Sequence, residues 1–469
     1  MRFSAATTAE KILPGRVAAR ARPLLDQLDT ILFARDERGV AGRMSFIAFS
    51  IRIFSAAIAF VSQVLLARWM GSFEYGIFVL VWVTMIIAGN LSCLGFHTSV
   101  IRFVPEYREK GRFAELRGIL LTSRLFVLVA SSIFTLIGLA GLALAAPAME
   151  SYYVAPFFLG IVCLPMIALS DVLQGIARAN SWALWALSPT YIVRPVLILV
   201  FMAGALLAGY EPCAETAVIA AILATYATTI FQLVSVTTLV DRKVAPGPRT
   251  IHFGFWLAVS FPIFLVESFF FLLTNADVLM VGIYMDPHDV AIYYATVKTL
   301  ALVHFVYFAV KAGVAQRYAQ FTHSDPARLA TFARETVSWT FWPSVLMGLI
   351  VLALGKPMLM LFGPGFDAGY PFLFVLVAGV LARAAVGPAE SLLTMSGNQN
   401  ICALVYAATL AINVVLNMVL IPVLGLWGAA VATAIAMVFE AAALSFTVWR
   451  KLGIVMAVFA PAPDSRKAL

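Results

Sequence analysis

Twelve long apolar stretches follow one another from Met44 to Trp449 with little polar sequence between them. They run over about 44–67, 76–96, 118–145, 153–175, 185–208, 215–240, 253–276, 290–312, 334–361, 370–394, 401–421 and 425–449. Each is near the roughly 20 residues an α-helix needs to cross a hydrocarbon core about 30 Å thick. Such a chain is an all-α polytopic membrane protein of about 12 transmembrane helices. Its composition agrees, with 62% hydrophobic and 12% charged residues, where soluble domains carry about 25% charged.

Several function classes fall away at once. The net charge of +8 does not signal nucleic acid, because the excess basic residues sit in loops and tails beside helix ends, where they orient the chain and meet anionic headgroups. The cysteines (Cys93, Cys163, Cys213, Cys402) form no C-x-x-C pair, so neither a disulfide framework nor a zinc site is expected. There is no G-x-x-x-x-G-K-[ST] and hence no visible ATPase. The outer gaps are too short for the acid- and His-bearing loops of a membrane glycosyltransferase. No catalytic residue, metal centre or cofactor is expected.

Orientation follows from the placement of Lys and Arg. The N-terminal tail carries Arg2, Lys11, Arg16, Arg20, Arg22, Arg35, Arg38 and Arg43, and the gap after span 2 carries Arg102, Arg108, Lys110, Arg112 and Arg117. Gaps after odd-numbered spans hold only Arg68 and Lys356. By the positive-inside rule both termini are cytoplasmic. The tail lacks the apolar core of a signal peptide. Its Leu24, Leu25, Leu28, Ile31 and Leu32 recur at helical spacing, as in an interfacial helix, although a plain basic tail fits the same residues.

The chain also repeats itself. At an offset of 215 residues Met70 meets Met285, Glu74 meets Asp289, Ile77 meets Ile292, Phe78 meets Tyr293 and Tyr191 meets Tyr406. An even shift of six spans preserves orientation, which gives two parallel six-helix halves. The expected organisation is a basic cytoplasmic tail (1–43), an N-terminal bundle (44–240), a C-terminal bundle (253–449) and a cytoplasmic tail (450–469). Transporters with such repeats hold substrate near the midplane between halves.

Charges inside the spans point to the cargo. Arg52, Arg124, Arg194, Lys298 and Arg383 fall within spans, where an Arg near the centre costs at least about 2.5–3.5 kcal/mol and faces protein or water. Bases outnumber acids, which favours an anionic substrate, and the guanidinium fork suits phosphate. The alternative is that these arginines only bind carbonyls and headgroups. Glu267 stands at the position equivalent to Arg52, so a charge pair across the central axis is expected, either static or broken during transport. Asn413 and Asn417 share one helical face, and with Thr433 and Glu267 they would hold a small coupling cation or, more simply, bond helix to helix.

Three stretches carry a family resemblance: SQVLLARWMGSFEYGIFVLVW (Ser62–Trp82), LGFHTSVIRFVPEYREKGR (Leu94–Arg112) and NVVLNMVLIPVLGLWGAAVATAIA (Asn413–Ala436). In order and spacing they resemble the oligosaccharidyl-lipid (Wzx-type) flippase branch of the MOP superfamily, polysaccharide biosynthesis export proteins. The resemblance implies two six-helix bundles in a V around a cavity that opens alternately to each side. It implies movement of an undecaprenyl-diphosphate-linked glycan across the bacterial cytoplasmic (inner) membrane, with membrane lipids and a polysaccharide polymerase or export complex as partners. It further implies Arg52, Arg124, Arg194, Lys298 and Arg383 as substrate contacts. Coupling to Na⁺ or H⁺ through Glu267, Asn413, Asn417 and Thr433 is left open. The rival is a cation-coupled multidrug exporter of the same superfamily, which should line its cavity with acids.

Overall fold

The computed structural model describes the backbone of residues 37–459 and side chains from Phe54 onward, except at positions 312, 316, 323, 324, 326 and 327. The stripe Leu24 to Leu32 and the side chain of Arg52 lie outside the described residues. Every regular element among the described residues is helical.

Helix α1 (Glu37–Ser92) is 56 residues long, about 84 Å if it were straight. It is not straight. Gly71 adopts φ 77, ψ 169, a region essentially reserved for glycine. The Tyr75 hydroxyl bonds Gln63 at 2.8 Å, although twelve positions along a straight helix would separate them by about 18 Å. The first two spans are therefore one hairpin turned at Gly71. Leu94 and Gly95, both at positive φ, then kink the chain into α2 (Phe96–Glu109).

The first half continues through α3 (Phe113–Ala145), α4 (Ser151–Gly160), α5 (Leu164–Ala179), α6 (Ala183–Ser188), α7 (Arg194–Leu207) and α8 (Ala214–Asp241). The second comprises α9 (Phe253–Leu273), α10 (Ala276–Tyr284), α11 (Pro287–Ser324), α12 (Pro326–Met360), α13 (Tyr370–Ala384), α14 (Ala389–Met395), α15 (Gln399–Leu424) and α16 (Leu426–Leu452). Eleven stretches of the described residues are long and apolar enough to cross a membrane. The first of them contains the Gly71 hairpin, which makes twelve crossings. Helix bounds recur at the offset of 215: α3 shifted ends at 360, where α12 ends, and Ala179 shifted is 394, one residue from the end of α14.

Packing differs between the two ends of the molecule. Around Gly71 a single buried core runs through both halves, from Leu66 and Tyr75 to Tyr293, Phe362 and Ala430. The contact there is close: a Cβ on Gly76 would overlap the Pro287 carbonyl, Arg68 donates to the carbonyls of Met360 and Leu361, and His288 bonds Ser72 at 2.6 Å. At the opposite end each half has a core of its own, one from Cys93 to Trp256 and the other from Val314 to Met456.

Two features depart from the sequence reading. Helix α9 opens the second half, yet Trp256 is fully buried in the core of the first, while Phe269, Phe270 and Leu273 pack on the core of the second. Its aromatic residues allow one helix to serve both. The residues after Arg450, expected as a cytoplasmic tail, leave α16 through Gly453 (φ 67) and fold back on the helices. Met456 is fully buried, its carbonyl accepts from Ser445, and the Val458 amide donates to Ala385. That bond satisfies a carbonyl freed by the break between α13 and α14, as apolar surroundings require.

Gly71→Ala should lower the melting temperature in detergent, since the added side chain meets no neighbour and the cost is backbone strain alone, about 1–3 kcal/mol. Gly204→Ala, in the exposed interior of α7 where a Cβ also meets nothing, should be neutral or gain up to about 1 kcal/mol. Equal melting temperatures for the two variants would contradict the hairpin at Gly71.

Candidate functional site

The charges expected to meet in one cavity fall into separate groups. Arg194, at the start of α7, is buried inside the first half. Its Nη2 donates to Ser170 at 3.1 Å, and Ser170 donates to Gln232 of α8 at 2.9 Å. Asp171 lies within electrostatic reach of Arg194. Arg124 of α3 reaches across to Thr237 of α8 at 3.0 Å. It forms no ion pair among the described residues and is half-buried.

In the second half, Arg383 of α13 is compensated. Its Nη2 lies 3.0 Å from Glu440 of α16 and 3.9 Å from Glu390 of α14, and the guanidinium stacks 4.6 Å over Tyr307. Glu390 also takes bonds from Lys311 and Tyr406. Two bases and two acids thus close into a buried group. Lys298 of α11 is half-buried, lies 4.6 Å over the Tyr294 ring and has no ion pair among the described residues. The span read from the sequence ends near residue 312, whereas α11 runs on to Ser324 and carries Lys311 on its helix.

Glu267, Asn413, Asn417 and Thr433 are not brought together. The Glu267 carboxylate accepts from Thr98 of α2 at 2.9 and 2.8 Å and lies 3.2 Å from His97 Nε2. Asn417 bonds the backbone and side chain of Asn413 at 2.9 and 3.1 Å. Thr433 meets Tyr293 at 3.3 Å, and Tyr293 donates to Asp277 at 3.0 Å. The acid beside Thr433 is therefore Asp277. It lies just past the span read at about 253–276, because the break at Thr274 and Asn275 that starts α10 is not visible in hydropathy. Asn417 Oδ1 is buried without a partner among the described residues. An acid and a spare carbonyl oxygen on neighbouring helices have the hard-donor chemistry of a small-cation site.

Residues 41–315 match a family model described as polysaccharide biosynthesis protein, and residues 262–419 match one described as MatE. Comparison with curated proteins gives no match. Among solved structures, an inward-facing multidrug resistance MATE family transporter of the MOP superfamily superposes with a TM-score of 0.71 at 12% identity, covering 87% of this chain and 98% of that one. The lipid II flippase MurJ in its inward closed conformation gives 0.65 at 18% identity, covering 86% and 87%. A Pyrococcus furiosus MOP superfamily transporter, described as having a binding pocket of reverse polarity, gives 0.61 at 13%, covering 90% and 97%. At these identities the likeness is one of fold.

Glu440 and Arg383 are both buried, so removing either alone leaves a stranded charge. Arg383→Met or Glu440→Leu should each cost about 3–5 kcal/mol, and the double variant should be close to neutral. Thermal unfolding of the four proteins gives the coupling directly. Strictly additive losses would show that the two side chains do not act as a pair.

Proposed function

Because the chain belongs to the polysaccharide biosynthesis protein family, we propose that it is a flippase for an undecaprenyl-diphosphate-linked oligosaccharide or polysaccharide precursor. It would act in the bacterial cytoplasmic membrane by alternating access. The family match over residues 41–315 carries the reading. The packing supports it, because halves joined at the Gly71 end and separate at the other suit a molecule open to one side at a time.

The headgroup enters between the separate cores while the prenyl tail stays in lipid. The positive-inside pattern puts that entrance at the cytoplasmic face. Arg124 and Lys298, neither in an ion pair among the described residues, and Arg52, whose side chain is outside the described residues, are the proposed contacts for diphosphate or acidic sugar. Arg194 and Arg383, buried near Asp171 and against Glu440, act from behind by holding helices in place. Na⁺ or H⁺ at Asp277, which Tyr293 links to Thr433, is the proposed driving ion, with Asn413 and Asn417 of the neighbouring α15 as further candidates. Glu267 is proposed to gate. No bond is made or broken, and the partners are the lipid-linked glycan, membrane lipids and a polymerase or export complex.

A second reading, a cation-coupled multidrug exporter, is favoured by the MatE match over residues 262–419 and by the acids Asp277, Glu390 and Glu440 in the second half. Deleting the gene separates the two. The flippase reading expects lipid-linked glycan to collect on the cytoplasmic leaflet. Rescue by the Arg124→Ala, Lys298→Ala double variant should be reduced about tenfold or more, since hydrogen bonds to charged groups contribute about 1.5–3 kcal/mol each. Normal glycan with altered drug tolerance would favour the exporter, and full rescue would remove these two residues from the substrate path.

A further inference from the structure

Helices α11 and α12 meet in a hairpin that outruns the apolar sequence. The apolar run of α11 ends near residue 312 and that of α12 begins near 334, yet the helices continue to Ser324 and from Pro326. Roughly 12 residues of α11, about 18 Å, thus stand beyond the hydrocarbon. Trp339, just inside the start of the α12 run, is exposed, as tryptophans at the edge of the hydrocarbon are. The base of the hairpin therefore lies among the headgroups, a layer about 5–8 Å deep on each side.

That base holds a cavity of about 420 Å³ whose lining includes Arg317, Phe321, Asp325, Arg328, Phe332 and Glu335. Small-ligand sites usually span about 300–1,000 Å³. The floor belongs to the core of the second half, where Phe332 is buried and Phe321 meets it edge-on at 5.4 Å. The Arg317 guanidinium rests 5.7 Å over Phe332, and that of Arg328 5.5 Å over Phe321. Groups resting on rings in this way keep in-plane N–H donors for another acceptor. Asp325 caps α12 by accepting from the Arg328 amide at 3.0 Å, and Glu335 is exposed. Although these two bases and two acids line one cavity, none of the four is in an ion pair among the described residues.

We propose that this cavity binds the headgroup of a zwitterionic phospholipid that carries a primary ammonium. The phosphate lies on Arg317 and Arg328, whose planar forks suit its oxygens, and the ammonium donates to Asp325 and Glu335. A simple anion would meet two carboxylates here, and a simple cation two guanidinium groups. A ligand with adjacent opposite charges satisfies both pairs. The depth favours a lipid over a soluble zwitterion, since acyl chains hanging from this level enter the hydrocarbon. A bound lipid fastens α11 to α12 at the separate-core end of the second half, whichever cargo the chain carries.

The test counts lipid bound to the purified full chain in detergent by native mass spectrometry. Phosphatidylethanolamine and phosphatidylglycerol with the same acyl chains are titrated in parallel. The unaltered protein should bind phosphatidylethanolamine about tenfold more tightly, the ammonium being the only difference in charge. Free phosphoethanolamine should not displace it at matching concentration. Glu335→Gln should strengthen phosphatidylglycerol binding and erase most of the preference, which a merely structural role for Glu335 would not do. Arg317→Gln and Arg328→Gln should each weaken both lipids about tenfold, with unchanged elution and melting temperature as the check on folding. Glu335 is exposed and makes no ion pair, so its variant keeps the test decisive should either arginine variant misfold. Equal binding of the two lipids by the unaltered protein, or a preference that survives Glu335→Gln, would overturn the assignment. Displacement by free phosphoethanolamine would overturn it too, by assigning the cavity to a soluble ligand.

Discussion

The rest of the structure depends on close backbone packing at one end of the two halves. Gly76 lies against the Pro287 carbonyl, and Arg68 reaches the terminal carbonyls of α12. A positive side chain at a helix C-terminus also complements the helix dipole. With these contacts the stretches from Phe60 to Met70 and from Tyr75 to Leu91, flanking Gly71, share one core with α11 and α13. At the other end, among the described residues, the shared element is α9, with Gly95 against the Ser260 carbonyl. A body fixed at one end and divided at the other has a natural axis of motion.

The internal charges follow the same division. Each half compensates its deepest arginine from within, Arg194 near Asp171 and Arg383 against Glu440. Breaking the buried Arg383–Glu440 pair costs about 3–5 kcal/mol, so it holds α13 and α16 in register. Arg124 and Lys298, in no ion pair among the described residues, are only half-buried. Across the divide His97 lies 3.2 Å from Glu267, and His288 lies 2.6 Å from Ser72.

The sequence displays what depends on local pattern. The spans and the 215-residue offset reappear in the helix bounds, because hydropathy and length set them residue by residue. What it hides are choices of partner. Arg383 looked like a free cation because Glu440 is 57 positions away, and Glu267 looked like a partner for Thr433 because both lie on helices of the second half. The break at Thr274 and Asn275 and the return of the chain at Gly453 carry no hydropathy signal. Met456 and Val458 could be placed only by the core they enter. Gly71 is the exception, since a glycine between two apolar spans was in plain view.

The central claim is that the Gly71 end must open for cargo to leave. Ser72 and His288 touch across it, so Ser72→Cys with His288→Cys places a reversible lock on that end. Purified protein in vesicles is assayed for movement of a lipid-linked glycan between leaflets, first oxidised and then reduced. The account predicts no transfer while the disulfide is closed and full recovery on reduction. Undiminished transfer through the locked protein would contradict it.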